Sequence, residues 1–365
     1  MAISKRSCLF LALVFVSIFT SWQGVAASYA VAESGGPSVS VSARVPATLR
    51  ENILTETEEA ESPALPSDTL YSQKFQSTPD LKSQWALARI NALPMTQMMD
   101  NDSPVLVAVL DTGIDKDHED LSGRVVAEID LSGGLDAADV YGHGTAIAGI
   151  IAADVANGLG IMGLAPDSRL VNVKVADDDG RCQLSVLAEG IIWAVDCGAS
   201  VINVSIELKE ASSALQEAID YAWEHGALVI AAAGNDGGSL PVYPAACDHC
   251  LAVTAVQANG ALVPLANYGD WVDCVAPGLD IYATLPDNTY GYKHGTSFAT
   301  AYVSGLAALL FAVAADTNGN GYLNDEVLHA IESGCEAIDI DGTGRGIINV
   351  PASIAALASD DGSLP

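Results

Sequence analysis

Four short segments hold residue types that could run nucleophilic chemistry together. Asp111 follows the apolar run Val105-Leu-Val-Ala-Val-Leu110, and His143 sits in Gly142-His-Gly-Thr145. Asn235 ends Ala231-Ala-Ala-Gly-Asn235, and Ser297 sits in Gly295-Thr-Ser297. A serine hydroxyl attacks a carbonyl at neutral pH only if a base takes its proton and a buried carboxylate fixes the tautomer of that base. Asp111, His143 and Ser297 supply carboxylate, base and nucleophile. The oxyanion that forms needs donors; Asn235 offers a side-chain amide, and Ser297 its backbone N–H at a helix start. Each residue has a plainer reading by itself: Asp111 as a strand-end cap, His143 as a helix-start residue, Ser297 as an N-cap. Taken jointly they point to acyl transfer.

Two other chemistries fail on context. Gly158-Leu-Gly-Ile-Met-Gly163 fits the dinucleotide pattern G-x-G-x-x-G. That chemistry needs the loop to leave a strand and open a helix, so that helix-terminal N–H groups meet a pyrophosphate. Here a helical pattern precedes the glycines, and Leu164-Ala-Pro166 leads into a strand. A nucleophile elbow needs G-x-S-x-G, and the segment around Ser297 lacks the second glycine. No motif calls for an organic cofactor.

The elements that must position these residues alternate. Val105–Leu110, Leu170–Val175, Val201–Val204, Ala227–Ala231 and Leu251–Val256 read as strands buried on both faces. Helical patterns cover 144–153, 184–196 and 211–225. This rhythm predicts an α/β fold with a mainly parallel sheet covered on both faces, and ligand chemistry at the carboxyl ends of the strands. Asp111 and Asn235 stand at two such ends. Half of the 365 residues are hydrophobic, enough for a sizeable core. A net charge of −31 excludes electrostatic binding of nucleic acid or an anionic membrane, and favours cations.

Residues 1–27 read as a secretory signal peptide: Lys5 and Arg6, an apolar run from Cys8 to Phe19, then Val25-Ala-Ala27. The mature chain is therefore expected to be secreted, to an extracellular or periplasmic space, with no membrane anchor. Residues 28–67 are polar and read as a pro-segment or linker, and 68–365 as the main domain. Six cysteines remain after the signal. Cys247-Asp-His-Cys250 suits a local disulfide or two free thiols better than a metal site.

Val109-Leu-Asp-Thr-Gly-Ile-Asp115, Gly142-His-Gly-Thr145, Ala232-Ala-Gly-Asn235 and Gly295-Thr-Ser-Phe-Ala299 resemble, in order, the four signature blocks of the subtilisin-like serine proteases. The likeness runs from about residue 84 to 357 and includes Gly163-Leu-Ala-Pro166, Val275-Ala-Pro-Gly278 and Gly344-Arg-Gly-Ile-Ile-Asn349. A related acid-acting family has Glu in place of the histidine, and Gly-His-Gly-Thr excludes it. The resemblance implies a three-layer α/β/α fold and a monomeric endopeptidase acting on protein or peptide substrates. It implies catalytic roles for Asp111, His143, Ser297 and Asn235. It implies substrate contacts at Ser205, Ile206, Glu207, Ala233 and Gly234. It also implies structural calcium, held by Asp120 and Asn157 side chains and the carbonyls of Val155, Leu159 and Ile161, against the reading of a metal-free polar loop. A narrow processing protease, a peptide ligase and a non-catalytic binding module on the same fold stay as alternatives.

Four features depart from the family or add to it. Asp316, Asn318 and Asn320, with Gly321, take positions one, three, five and six of an EF-hand-type loop, a second calcium candidate. Position twelve is Val327, and the acid Glu326 falls one short. Glu207 stands where the family usually has Gly; it either selects basic or polar substrate side chains or faces solvent. Ala301 stands where the family usually has Pro, in what reads as the first helical turn behind Ser297. The pro-segment is too short and polar for the folded one that many members carry.

Overall fold

The computed structural model describes residues 84–92 and 104–359. The signal and pro-segment expectations lie outside the described residues. A short helix α1 (Trp85–Arg89) comes first, followed by strand β1 (Leu106–Asp111) and strand β2 (Val125–Asp130). Helix α2 (His143–Ala152), β3 (Arg169–Lys174), α3 (Leu184–Asp196), β4 (Val201–Val204), α4 (Ser213–Glu224) and β5 (Leu228–Ala232) then alternate. The chain continues through β6 (Cys250–Val256), β7 (Cys274–Pro277) and an antiparallel hairpin of β8 (Ile281–Leu285) and β9 (Thr289–Lys293). It ends with α5 (Thr296–Phe311), α6 (Asn324–Ser333) and α7 (Val350–Ser359).

Strands β1 to β7 form one sheet in the order β2-β3-β1-β4-β5-β6-β7. Every pairing in it is parallel. Successive side chains leave a strand on opposite faces, and the core divides accordingly. Val107 and Val109 of β1 pack with Ile147 and Ile150 of α2 and Val303 and Leu306 of α5. Ala108 and Leu110 pack with Leu187 and Ile191 of α3 and Leu215 and Ile219 of α4. Val201 against Ile202, and Leu228 against Val229, repeat the split on the neighbouring strands. The result is the three-layer α/β/α arrangement. Helix α5 is buried along its whole length, as a run of Ala, Gly, Leu and Thr with no polar face requires. Its Ser304 hydroxyl donates to Asn203 Oδ1 on β4 (2.9 Å), so the buried amide is not left unpaired.

The expected strands and helices are present with ends shifted by one or two residues. Strand β2 has no counterpart in the sequence reading. It is an edge strand with five half-buried residues and one exposed, and its Glu128 and Asp130 break the apolar run that marks a central strand. The local Cys247–Cys250 disulfide is not formed: all six cysteines 182, 197, 247, 250, 274 and 335 are free. Cys250 begins β6 opposite Val229, whereas Cys247 sits on the preceding turn with its N–H bonded to Pro244 O. Burial pushes the thiols of Cys197, Cys247 and Cys335 up to about 12, away from the reactive thiolate. No helix among the described residues is long and apolar enough to cross a membrane.

Asp273, just before β7, has a half-buried carboxyl that accepts the Ala252 N–H at 2.7 Å. Burial pushes its pKa up to about 6. A carboxyl raised above its unfolded value of about 4 binds protons more readily in the folded state, so its contribution to stability declines as pH rises from about 4 to about 6. Asp273→Asn keeps an acceptor and removes the charge. It is expected to raise the unfolding midpoint by about 2–6 °C at pH 7 and by little at pH 4. Thermal unfolding at both pH values checks this; an equal shift at the two would contradict it.

Candidate active site

The strand order reverses about β1, which has β3 on one side and β4 on the other. A crevice opens at the carboxyl ends of such strands, and Asp111 is the last residue of β1. Helix α2 begins directly beside it. A Cβ at Gly144 would lie 2.1 Å from Gly113 O and 3.0 Å from Asp111 Cβ, so only glycine lets the first turn of α2 abut the strand end. His143 Nδ1 thereby comes to 2.8 and 2.9 Å from the two Asp111 carboxylate oxygens. Asp111 is fully buried and also accepts the Thr112 N–H at 2.7 Å. An ionised carboxylate only accepts, so Nδ1 carries the proton and Nε2 is left as the basic nitrogen.

Two residues that the sequence reading passed over hold this contact in place. The buried carboxylate of Asp139 accepts from Thr112 Oγ1 (2.8 Å), Gly142 N–H (2.7 Å), Thr145 N–H (2.8 Å) and Thr145 Oγ1 (2.7 Å). It therefore caps the start of α2 and grips the residue after Asp111 with the same two oxygens. Burial pushes this carboxyl up, and the four donors pull it back. The signal was an acid just ahead of a helix start, which is common enough to be overlooked. Lys174, at the end of β3 opposite Asp111, is 2% exposed and donates to Thr112 O (2.6 Å) and Asp178 Oδ1 (2.9 Å).

Ser297 lies in the first turn of α5, after Gly295, and is buried. The ring of its neighbour Phe298 is 5.3 Å from the His143 ring, which brings the start of α5 to the imidazole. Asn235 follows β5 and folds back on the same turn: its Oδ1 accepts the Thr296 N–H at 2.9 Å. With the oxygen occupied there, the amide N–H₂ is the end available for another group. Ala301 is in the second turn of α5, not the first, where its N–H belongs to the helical ladder. Proline there would remove a bond rather than an idle donor.

Ser205 and Ile206 follow β4 and are buried, and Ala233 and Gly234 follow β5 on the neighbouring strand. Gly234 N–H donates to Thr296 Oγ1 (3.1 Å), joining this segment to the start of α5. Glu207 faces inward rather than toward solvent. Its Oε2 accepts the Asn235 N–H at 3.1 Å, and its Oε1 pairs with Lys209 Nζ at 2.7 Å; Lys209 also pairs with Asp236.

Beyond the end of α2, Asn157 and Ile161 close on Asp120, and Val155 and Leu159 lie in the same loop. Asp120 is fully buried, with Oδ1 on Asn157 Nδ2 (2.7 Å) and Oδ2 on Ile161 N–H (2.8 Å). Burial pushes its carboxyl up, against those hydrogen bonds. A Cβ at Gly160 would lie 2.1 Å from Asp120 Oδ2, so the loop closes on the carboxylate only with glycine there. The glycines that mimic a dinucleotide motif thus serve this loop. Gln84 stitches it to the chain before α1, donating to Met162 O (2.8 Å) and accepting Met162 N–H (3.0 Å). Asp316, Asn318 and Asn320 lie in an exposed loop between α5 and α6. No cluster of three or more His, Cys, Asp or Glu side chains suited to a metal occurs among the described residues.

Residues 102–333 match the profile of the Subtilase family. A thermophilic serine proteinase of Bacillus sp. (strain AK1) is 43% identical over 238 residues, which are 65% of this chain and 58% of that protein. Thermitase of Thermoactinomyces vulgaris is 38% identical over 252 residues, 67% of this chain and 86% of thermitase. Subtilisin BL of Lederbergia lenta is 40% identical over 226 residues, covering 62% and 83%. A matching profile over well above half of the chain, with the parallel sheet and the Asp111–His143 contact at its reversal point, identifies the chain as a member of the subtilase family of serine proteases.

Proposed function

We propose that this subtilase is a secreted serine endopeptidase working through an acyl-enzyme on Ser297. The observation that carries the reading is the two-oxygen contact of buried Asp111 with His143 Nδ1, at the crevice where the helix bearing Ser297 begins. His143 Nε2 takes the proton as Ser297 Oγ attacks the substrate carbonyl carbon. The carbonyl oxygen becomes an oxyanion, met by Asn235 Nδ2 and the Ser297 N–H. Asp111 stabilises the imidazolium and stays ionised. The tetrahedral adduct collapses, the C–N bond breaks, and His143 returns the proton to the leaving amine. Water then attacks the ester with His143 again as base, releasing the acid and restoring Ser297. One oxyanion donor is worth about 10²–10³ in rate.

Ser205, Ile206, Ala233 and Gly234 flank this centre, in a position to pair with the substrate backbone. Glu207 acts on the oxyanion donor first, because its carboxylate is occupied by the Asn235 N–H and Lys209. The residues of the Asp120 loop fit a structural calcium ion: a buried acceptor-only carboxylate, an amide, and a turn that closes over them with no room for a Cβ. Asp120, Asn157 and the carbonyls of Val155, Leu159 and Ile161 would hold it. Its positive charge would offset the burial of Asp120 and tie the loop after α2 to the rest of the fold. The signal-like residues 1–27 support export, and the charge of −31 supports a protein substrate rather than nucleic acid.

An irreversible serine-directed phosphonate tests the mechanism. Ser297 is expected to be labelled in the mature protein, and the label to vanish in Ser297→Ala; unlabelled mature protein would contradict an active enzyme. Glu207→Gln separates the two roles of that residue. It is expected to lower kcat/KM about tenfold alike for substrates cleaved after Arg and after Leu, as the Asn235 N–H loses a charged acceptor. A selective loss for one substrate would instead place the carboxylate in the specificity pocket.

A further inference from the structure

The loop between α5 and α6 takes no part in the chemistry above, yet the first turn of α6 behind it holds two side-chain oxygens with no hydrogen-bond partner. Asp325 Oδ1 and Glu326 Oε2 are buried and accept no hydrogen bond. Glu326 as a residue is 5% exposed. A buried carboxylate oxygen with no donor costs free energy, and native structures normally recover it with a water or an ion.

Both carboxylates face the loop, because their other oxygens are bonded to it. Asp325 Oδ2 accepts from Asn318 Nδ2 (2.5 Å) and Asn320 Nδ2 (2.9 Å). Glu326 Oε1 accepts from Thr317 N–H (2.9 Å) and Oγ1 (3.0 Å) and from Asn318 N–H (3.4 Å). Asp316 curls the chain by accepting the N–H groups of Gly319 (2.6 Å) and Gly321 (2.9 Å). The sequence reading looked for an acid at position twelve and found Val327. Helix α6 begins earlier, at Asn324, so the acids that turn back on the loop stand at positions ten and eleven.

We propose that Asp316–Glu326 binds a calcium ion through Asp316, Asn318, Asn320 and Asp325, with Glu326 as the inner anion that holds the loop closed. Asn318 Oδ1 accepts the Asn320 N–H (2.9 Å) and Asn320 Oδ1 the Tyr322 N–H (2.7 Å), and each carbonyl oxygen keeps a second lone pair for a cation. Those second lone pairs and the unpartnered Asp325 Oδ1 are the oxygens offered to the cation. The donors are all hard oxygens on a flexible loop, which suits Ca²⁺ over Zn²⁺, and over Mg²⁺ with its strict octahedron. The inference does not depend on the catalytic reading or on the Asp120 loop.

Hydrogen–deuterium exchange on the full secreted protein, treated with a sulfonyl fluoride and stripped with a chelator, reads the site directly. Calcium at roughly 1 mM is expected to slow exchange across 316–326 about tenfold or more, and magnesium at the same level to leave it unchanged. A peptide covering 155–161 reports the other loop separately. The Asp316→Ala/Asp325→Asn variant is expected to lose the protection at 316–326 and keep that at 155–161. Absence of calcium-dependent slowing at 316–326 in the unsubstituted protein, equal slowing by magnesium, or slowing retained in the variant would overturn the proposal.

Discussion

The contact between the Asp111 carboxylate and His143 Nδ1 is the constraint on which the rest of the arrangement depends. A buried carboxylate is costly, and here it is balanced by one ring N–H and one backbone N–H at hydrogen-bond distance. The two residues belong to different layers, one to the end of a central strand and one to the first turn of a helix. Any slide of α2 along the sheet would break the contact and leave a charge unpaired. The fold must therefore fix the start of that helix to a fraction of an ångström.

Three devices supply that fixity. Gly144 removes the Cβ that would hold helix and strand apart. Asp139 bridges the residue after Asp111 to both sides of His143, so Asp111 and His143 share one anchoring carboxylate. Lys174 pins Thr112 O from the neighbouring strand and pairs with Asp178. On the far side, Asn235 and Gly234 clip the end of β5 to Thr296, so the first turn of α5 is fixed to the sheet as well. The Asp120 loop closes the opposite end of α2. The helix that carries the base is thus restrained at both termini.

Most of this architecture was legible in the sequence where signals are local. Apolar runs marked the central strands, with Asp111 and Asn235 at the ends of two of them and His143 and Ser297 at helix starts. Strand β2 was not legible, because an edge strand buries only part of itself and carries acids that a central strand would not. Asp139 was not legible, because its importance lies in four donors from three residues, one of them far away in sequence. Glu207 was read as a choice between pocket and solvent; its partner is the backbone of Asn235, distant in sequence. Ala301 was placed one turn too early, since the start of α5 is set by Gly295 and the Thr296–Asn235 bond rather than by composition.

The role proposed for Asp111 is to hold His143 in one tautomer. Asp111→Asn keeps the size of the side chain and lets an N–H₂ group replace an acceptor oxygen. Steady-state hydrolysis of a peptide substrate near neutral pH, with the fold checked by circular dichroism, measures the consequence. A fall in kcat of about 10³–10⁴ with the fold unchanged is expected. A folded variant whose kcat stays within about tenfold of the parent would contradict it.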